Sequence, residues 1–187
     1  MCNVYEKIYT ELPDFDQREI LRYAGVKGEA DEKTLDLLDE CLQESRTAFS
    51  YRVCYCELSQ SALTEKITAA KESESLARFL DGAEQALVFA ATVGLGIDRL
   101  INRYAVVSPV KALFFQAIGA ERIEALCESF CKEMGAKKRF SPGYGDFALT
   151  AQRDIFALLS CERRIGLSLT DSLLMSPTKS VTAIAVR

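Results

Sequence analysis

The sequence predicts an α+β protein, and three observations carry that reading. Leu35, Leu38 and Leu42 recur at helical spacing in the segment Asp31 to Ser45. Phe49, Tyr51, Val53 and Tyr55 alternate with Ser50, Arg52, Cys54 and Cys56, the period of a half-buried strand. Ala86 to Thr92 is a continuous apolar run, as expected for a strand covered on both faces.

Taken in order, Pro13, Asp14 and Asp16 lead into a first helix, Arg18 to Ala24, with Gly25 as its stop, and Asp31 is the N-cap of the second. After the Phe49 strand, Ala62 to Ala69 reads as a second strand that pairs with it. Ser73 to Leu80 is a short helix broken by Gly82, and the buried strand follows. Ile97 to Tyr104 is a short helix. Pro109 to Met134 is a long one, with Pro109 suited to a first turn and Gly135 to an end. Arg139 to Asp146 is a Pro/Gly-rich loop, Thr150 to Arg164 a helix closed by Gly166, and Leu167 to Met175 with Val181 to Val186 a terminal hairpin around Ser176-Pro177-Thr178. No linker or repeat interrupts the 187 residues, so one domain, 1–187, is expected.

Hydrophobic residues make up 49% and charged residues 27%, enough for a packed core. A net charge of -4 and a pI near 5.1 provide no basic footprint for nucleic acid or an anionic membrane. The first twelve residues carry Glu6 and Glu11 and lack a signal-peptide pattern, which makes a cytoplasmic location the expectation. Seven irregularly spaced cysteines suit reduced core thiols better than a disulfide framework. The absence of histidine removes Ser-His-Asp and Cys-His nucleophile systems and histidine metal ligands together.

Two segments have the composition of a ligand site. Gly94-Leu95-Gly96 sits between a strand and a helix, but Arg99 stands where a dinucleotide fingerprint needs a third glycine, so a structural turn is the better reading. Arg139-Phe140-Ser141-Pro142-Gly143-Tyr144-Gly145-Asp146 combines a bidentate cation, two glycines and an aromatic. On composition alone it is equally a ligand loop or a tight connection whose Pro and Gly set dihedrals.

The string RFSPGYGD, a helix, and then IGLSLTDSLLMSPTKSVTA resemble the C-terminal part of the activation domain of cobalamin-dependent methionine synthase, with its R-x-x-P-G-Y loop, G-x-x-L-T-x-S strand and M-x-P-x-x-S-V turn. The clear resemblance spans Arg139 to Ala183, and a weaker one runs back through Ala120 to Phe130. It implies an α+β fold with a largely antiparallel sheet and packed helices, which binds S-adenosylmethionine and closes over cobalamin when the cofactor must be repaired.

Residue by residue, the resemblance places Arg139 on the ligand's carboxylate, Ser141, Gly143 and Tyr144 in the surrounding loop, and Glu124 and Glu133 near its ammonium group. Taken alone, the two glutamates read as a solvated helix face. The loop departs from the family's Pro-Ala-Cys-Pro form at Gly145-Asp146-Phe147, and the resemblance reaches none of the modules for homocysteine, methyltetrahydrofolate or cobalamin.

Cobalamin is therefore expected only through a partner, a methionine synthase lacking its own activation domain or another corrinoid protein, with flavodoxin or another electron donor. An S-adenosylmethionine-binding sensor or scaffold without methyl transfer is the reading from a different class.

Overall fold

The computed structural model describes residues 2–187. The chain starts with a strand the sequence did not announce, β1 (Tyr5–Tyr9), whose residues are mostly exposed and so carry no clear alternation. Helix α1 (Gln17–Tyr23) begins where the Asp16 carboxylate accepts the Arg18 and Glu19 amides, and α2 (Glu32–Ser45) begins where Asp31 accepts that of Thr34 at 2.9 Å. Strand β2 (Tyr51–Ser59) follows.

The expected strand from Ala62 to Ala69 is instead helix α3 (Gln60–Lys66) and a 3-10 turn (Thr68–Lys71). The Ser59 hydroxyl accepts the Ala62 amide at 3.3 Å and so starts the helix. Leu63, Ile67 and Ala70, spaced four and three apart, are its buried face. Helix α4 (Glu74–Phe79) and strand β3 (Gln85–Thr92) come next, the strand buried on both faces as its apolar run requires. Helix α5 (Gly96–Val107) is joined to α6 (Pro109–Glu133), which has proline in its first turn and Gly135 at φ +72° just past its end.

Strand β4 (Lys138–Phe140) takes in the first residues of the segment read as loop. The single helix expected over Thr150 to Arg164 is two, α7 (Ala151–Leu159) and α8 (Cys161–Ile165), broken at Ser160 with φ +52°. Leu159 and Cys161 are both fully buried, and two residues that close cannot share one face of a continuous helix. The terminal hairpin is also redrawn. β5 (Ser168–Leu169) and β6 (Met175–Ser176) form a separate ribbon, whereas β7 (Ser180–Val186) inserts into the main sheet. Ala183, Ile184 and Ala185 are all fully buried, the requirement of a central strand rather than a hairpin arm.

The main sheet runs β1-β2-β3-β7-β4 with every neighbouring pair antiparallel. Val53, Leu87, Phe89, Ala91, Ala183 and Ala185 pack with α1, α2, α5 and α6 on one face. Cys54, Cys56, Leu58, Val88, Ala90 and Ile184 pack with α3, α4, α7 and α8 on the other. The half-buried reading of β2 is thus corrected, because the thiols of Cys54 and Cys56 act as small apolar side chains. The glycines of Gly94-Leu95-Gly96 are structural. A Cβ on Gly96 would lie 2.1 Å from the Ala48 carbonyl oxygen.

One polar cluster inside the first core escaped the sequence reading. Arg122 of α6 is buried, donates to the Pro13 and Asp14 carbonyls at 2.7 and 3.2 Å and to the adjacent Glu121, and stacks 4.2 Å from the Phe15 ring. It fastens the connection between β1 and α1 to the long helix.

Phe130 of α6 lies 5.0 Å from the Phe89 ring and 5.2 Å from that of Tyr55, fully buried against the sheet. Phe130→Ala is expected to cost about 3–5 kcal/mol in urea unfolding, as a lost transfer term plus a cavity. A loss under about 1 kcal/mol would place the ring outside the core.

Candidate functional site

Strand β4 pairs with β7 for only three residues, Lys138 with Val186 through Phe140 with Ile184. The chain then turns away through Ser141 and Pro142, whose ring nitrogen cannot extend the ladder. Its next residues fold into a loop held by its own backbone. Gly143 donates to the Phe147 carbonyl at 2.7 Å, Phe147 to that of Tyr144 at 3.0 Å and Tyr144 to that of Ser141 at 3.2 Å. Gly143 at φ +92° permits the turn.

Two side chains fasten this loop to the rest of the molecule. Phe147 is buried in the second core, with its ring centre 6.2 Å from that of Phe140. The Asp146 carboxylate sits at the N-terminus of α4, accepting the Ser73 hydroxyl at 2.6 Å and the Glu74 and Ser75 amides at 2.9 and 3.1 Å. The Ser73 hydroxyl, with those two amides, holds the Asp146 carboxyl down at about 2.

Between the loop, the edge of the sheet and α6 lies a cleft of about 330 Å³. Arg139, Ser141, Tyr144 and Glu124 all line it, so the fold brings together four of the six residues singled out by the resemblance. The Arg139 guanidinium is paired with the Glu124 carboxylate across from α6. Burial pushes the neighbouring Cys127 and Cys131 thiols above their usual range, so both are neutral. Glu124 is accordingly the anion that meets the arginine. It also borders a smaller cleft of about 210 Å³ edged by Asp16, Glu19 and Glu128. Tyr144 is two-thirds exposed, leaving its ring free to settle over a bound group.

Two expected residues fall elsewhere. Glu133 faces β1, where its carboxylate accepts the Tyr9 hydroxyl at 2.9 Å and pairs with Lys7. Gly143 is not at the cleft wall. It shapes the loop beneath, where a Cβ would meet Leu149 at 3.4 Å. Sequence reasoning missed Gln152, Met175 and Thr182, which also line the cleft. Thr182 lies just past the matched turn and gave a positional hint, whereas Gln152 is an ordinary polar residue on a helix and gave none.

The family model for the vitamin B12-dependent methionine synthase activation domain matches residues 36–187. The chain belongs to this family. The crystal structure of the MetH reactivation domain bound to AdoHcy superimposes with a TM-score of 0.64 at 17% identity, covering 98% of this chain and 78% of that one. That likeness establishes the activation-domain fold, including β1 and α1, which precede the family match. No curated protein sequence matches the chain significantly. Among the described residues no helix is long and apolar enough to cross a membrane.

The Asp146 cap makes the activation-domain loop sensitive to acid. A carboxyl held below its unfolded value of about 3.9 stabilises the fold fully at neutral pH and loses that contribution as pH falls towards about 2. Asp146→Asn is therefore expected to lower the melting temperature at pH 7, with the difference from the wild type closing below about pH 3. A constant difference from pH 7 to pH 2 in calorimetry would show that charge at this position is irrelevant.

Proposed function

We propose that this activation domain binds S-adenosylmethionine in the Arg139 cleft and supports reductive remethylation of cobalamin carried by a methionine synthase supplied in trans. The observation that carries the reading is the meeting of Arg139, on a strand end, with Glu124, on a helix, at the wall of one cleft. An amino-acid headgroup presents a carboxylate and an ammonium side by side. A guanidinium fork beside a carboxylate is complementary to that pair.

Arg139 offers several donors, so it can hold the ligand's carboxylate bidentately while Glu124 turns to the ammonium. The carboxylates of the neighbouring cleft favour a cationic ligand over a neutral product through the field they set up, and a sulfonium carries that extra positive charge. Tyr144 closes from the solvent side, and Ser141 presents the loop to the ligand. Arg139 and Glu124 would hold S-adenosylmethionine, which would supply the methyl group, and the partner would supply the cobalamin to be remethylated with one electron from flavodoxin or another donor. This chain's own residues bind and orient.

Titration calorimetry with S-adenosylmethionine is expected to show saturable binding, and at a hundredfold excess over Kd the ligand should stabilise the fold by about 2.7 kcal/mol. Arg139→Lys should weaken affinity about tenfold or more, because an ammonium cannot reproduce the fork. Equal affinities would remove Arg139 from the ligand's carboxylate.

The role in trans is checked by adding this protein, S-adenosylmethionine and a reductant to an inactivated methionine synthase that lacks its activation domain. Recovery of turnover is expected, and Arg139→Ala should abolish it. Recovery with a different corrinoid methyltransferase only would reassign the partner, and S-adenosylmethionine binding without any recovery would leave a sensor or scaffold.

A further inference from the structure

The candidate cleft lies at one edge of the main sheet, and β1 forms the other, paired with β2 alone. Which main-chain groups β1 leaves free follows from the alternation of hydrogen bonds across the sheet. Val93 donates to the Lys179 carbonyl at 3.1 Å, continuing the register that sets Ala91 against Val181. Odd-numbered residues of β3 therefore direct their main-chain groups to β7, and even-numbered ones to β2. The β2–β3 register sets even against even, as in Cys54 with Ala90, so the odd residues of β2 turn to β1. Opposite them stand Tyr5, Lys7 and Tyr9. Glu6 and Ile8 are left with N–H and C=O directed out of the sheet, and among the described residues neither has another main-chain partner.

A free edge of this kind pairs with another strand unless something guards it, most often a lysine, a proline or a covering helix. Here the charged residues of the edge are engaged within the chain. Lys7 pairs with Glu133 of α6, and Glu6 with Arg164 of α8 at 2.6 Å. No proline lies in the strand. Its apolar side chains are uncovered instead, Ile8 at 67% and Tyr5 at 51% exposure, one on each face of the edge.

We propose that the outer edge of β1 is an interface on which a second copy of the chain adds its own β1, antiparallel and centred on Ile8. The sequence of the strand argues for that occupant and that register. A twofold axis at Glu6 or at Lys7 would set a like charge against itself, which destabilises a cross-strand pair. An axis at Ile8 opposes the isoleucine to its own copy, Lys7 to the partner's Tyr9 and Glu6 to the partner's Thr10. Ile8 is also one of the residues with outward main-chain groups, so the two copies exchange both N–H···O=C bonds at the axis. The result is one sheet running through both molecules. Because β4 lies at the opposite end of the strand order, both Arg139 clefts stay open at its outer ends. The strand is short, so the contact buries less than the ~800 Å² per partner of a standard interface, and association falls in the micromolar range.

Analytical ultracentrifugation of the full chain, at concentrations from about 1 µM to about 500 µM, should show the mass rising from 20.8 kDa towards double. Ile8→Lys places a like charge at the axis and should weaken self-association about tenfold or more, whereas Ile8→Val should preserve it. Since Ile8 is an exposed side chain, the melting temperature of dilute Ile8→Lys should match that of the wild type. Amide hydrogen exchange identifies the edge itself. Glu6 and Ile8 should gain protection as concentration rises, while Tyr5, Lys7 and Tyr9, already bonded to β2, should not change.

A chain that stays monomeric throughout the range would overturn the proposal. So would a dimer that survives Ile8→Lys with the Glu6 and Ile8 amides still exchanging freely, because its interface would lie elsewhere. Protection of these two amides only when an inactivated methionine synthase is added would give the edge to a strand of another protein and exclude the second copy.

Discussion

Strand β7 is covered unequally along its length, and the candidate site follows from that inequality. Against β3 it is paired from Ser180 to Ala185, but against β4 only from Ile184 to Val186. The first residues of β7 therefore have one neighbour, β3, where Ile184 and Ala185 have two. Because β2, β3 and β7 bury apolar side chains on both faces, the interior has little room for polar chemistry. The place left for it is the edge that β4 vacates. Pro142, two residues past β4, cannot donate into a ladder, so its presence keeps that edge open.

The departing chain does not dangle, and its fastening explains how an arginine on a three-residue strand can be held still. Phe147 goes into the second core, Asp146 caps α4, and Gly145 is so close to Ser75 that a Cβ would come within 2.8 Å of the serine hydroxyl. Arg139 is steadied from the other side of the sheet by Glu124 of α6, a helix anchored in turn by Phe130 and by the buried Arg122. The site thus draws on both cores. Arrangement on strand and helix ends suits recognition of a charged headgroup, where small displacements weaken a bidentate contact.

The likeness to a reactivation domain at 17% identity and a TM-score of 0.64 fits this division of labour. Core positions accept many apolar side chains if volume and pattern are kept, so a fold outlasts most of its sequence. A guanidinium fork has no such range of substitutes, and this is why a short string such as Arg139 to Asp146 can signal a family when the surrounding core cannot.

The sequence by itself determined the α+β class, the long α6 with its Pro109 start and Gly135 end, the doubly buried β3 and the Arg139 loop, because helical and strand periods, caps and Pro/Gly signals are local properties of the chain. Its resemblance to the activation-domain family was legible in the same way, as contiguous strings. Where local signals were weak the outcome was decided by packing. The segment from Ala62 to Ala69 became helical because Ser59 caps it and Leu63, Ile67 and Ala70 turn one helical face into the second core, and Thr150 to Arg164 broke at Ser160 so that Leu159 and Cys161 could both be buried. β7 left its hairpin partner for the centre of the sheet. Only the tertiary structure could place Glu124 against Arg139 while turning Glu133 towards Lys7 and Tyr9, since both glutamates lie on one helix and nothing local distinguishes them. Gln152 and Thr182 were invisible for the same reason. Neighbours in a cleft assembled from α7 and β7 are thirty residues apart in the chain, and a polar side chain shows that it lacks a partner only once everything around it has been packed.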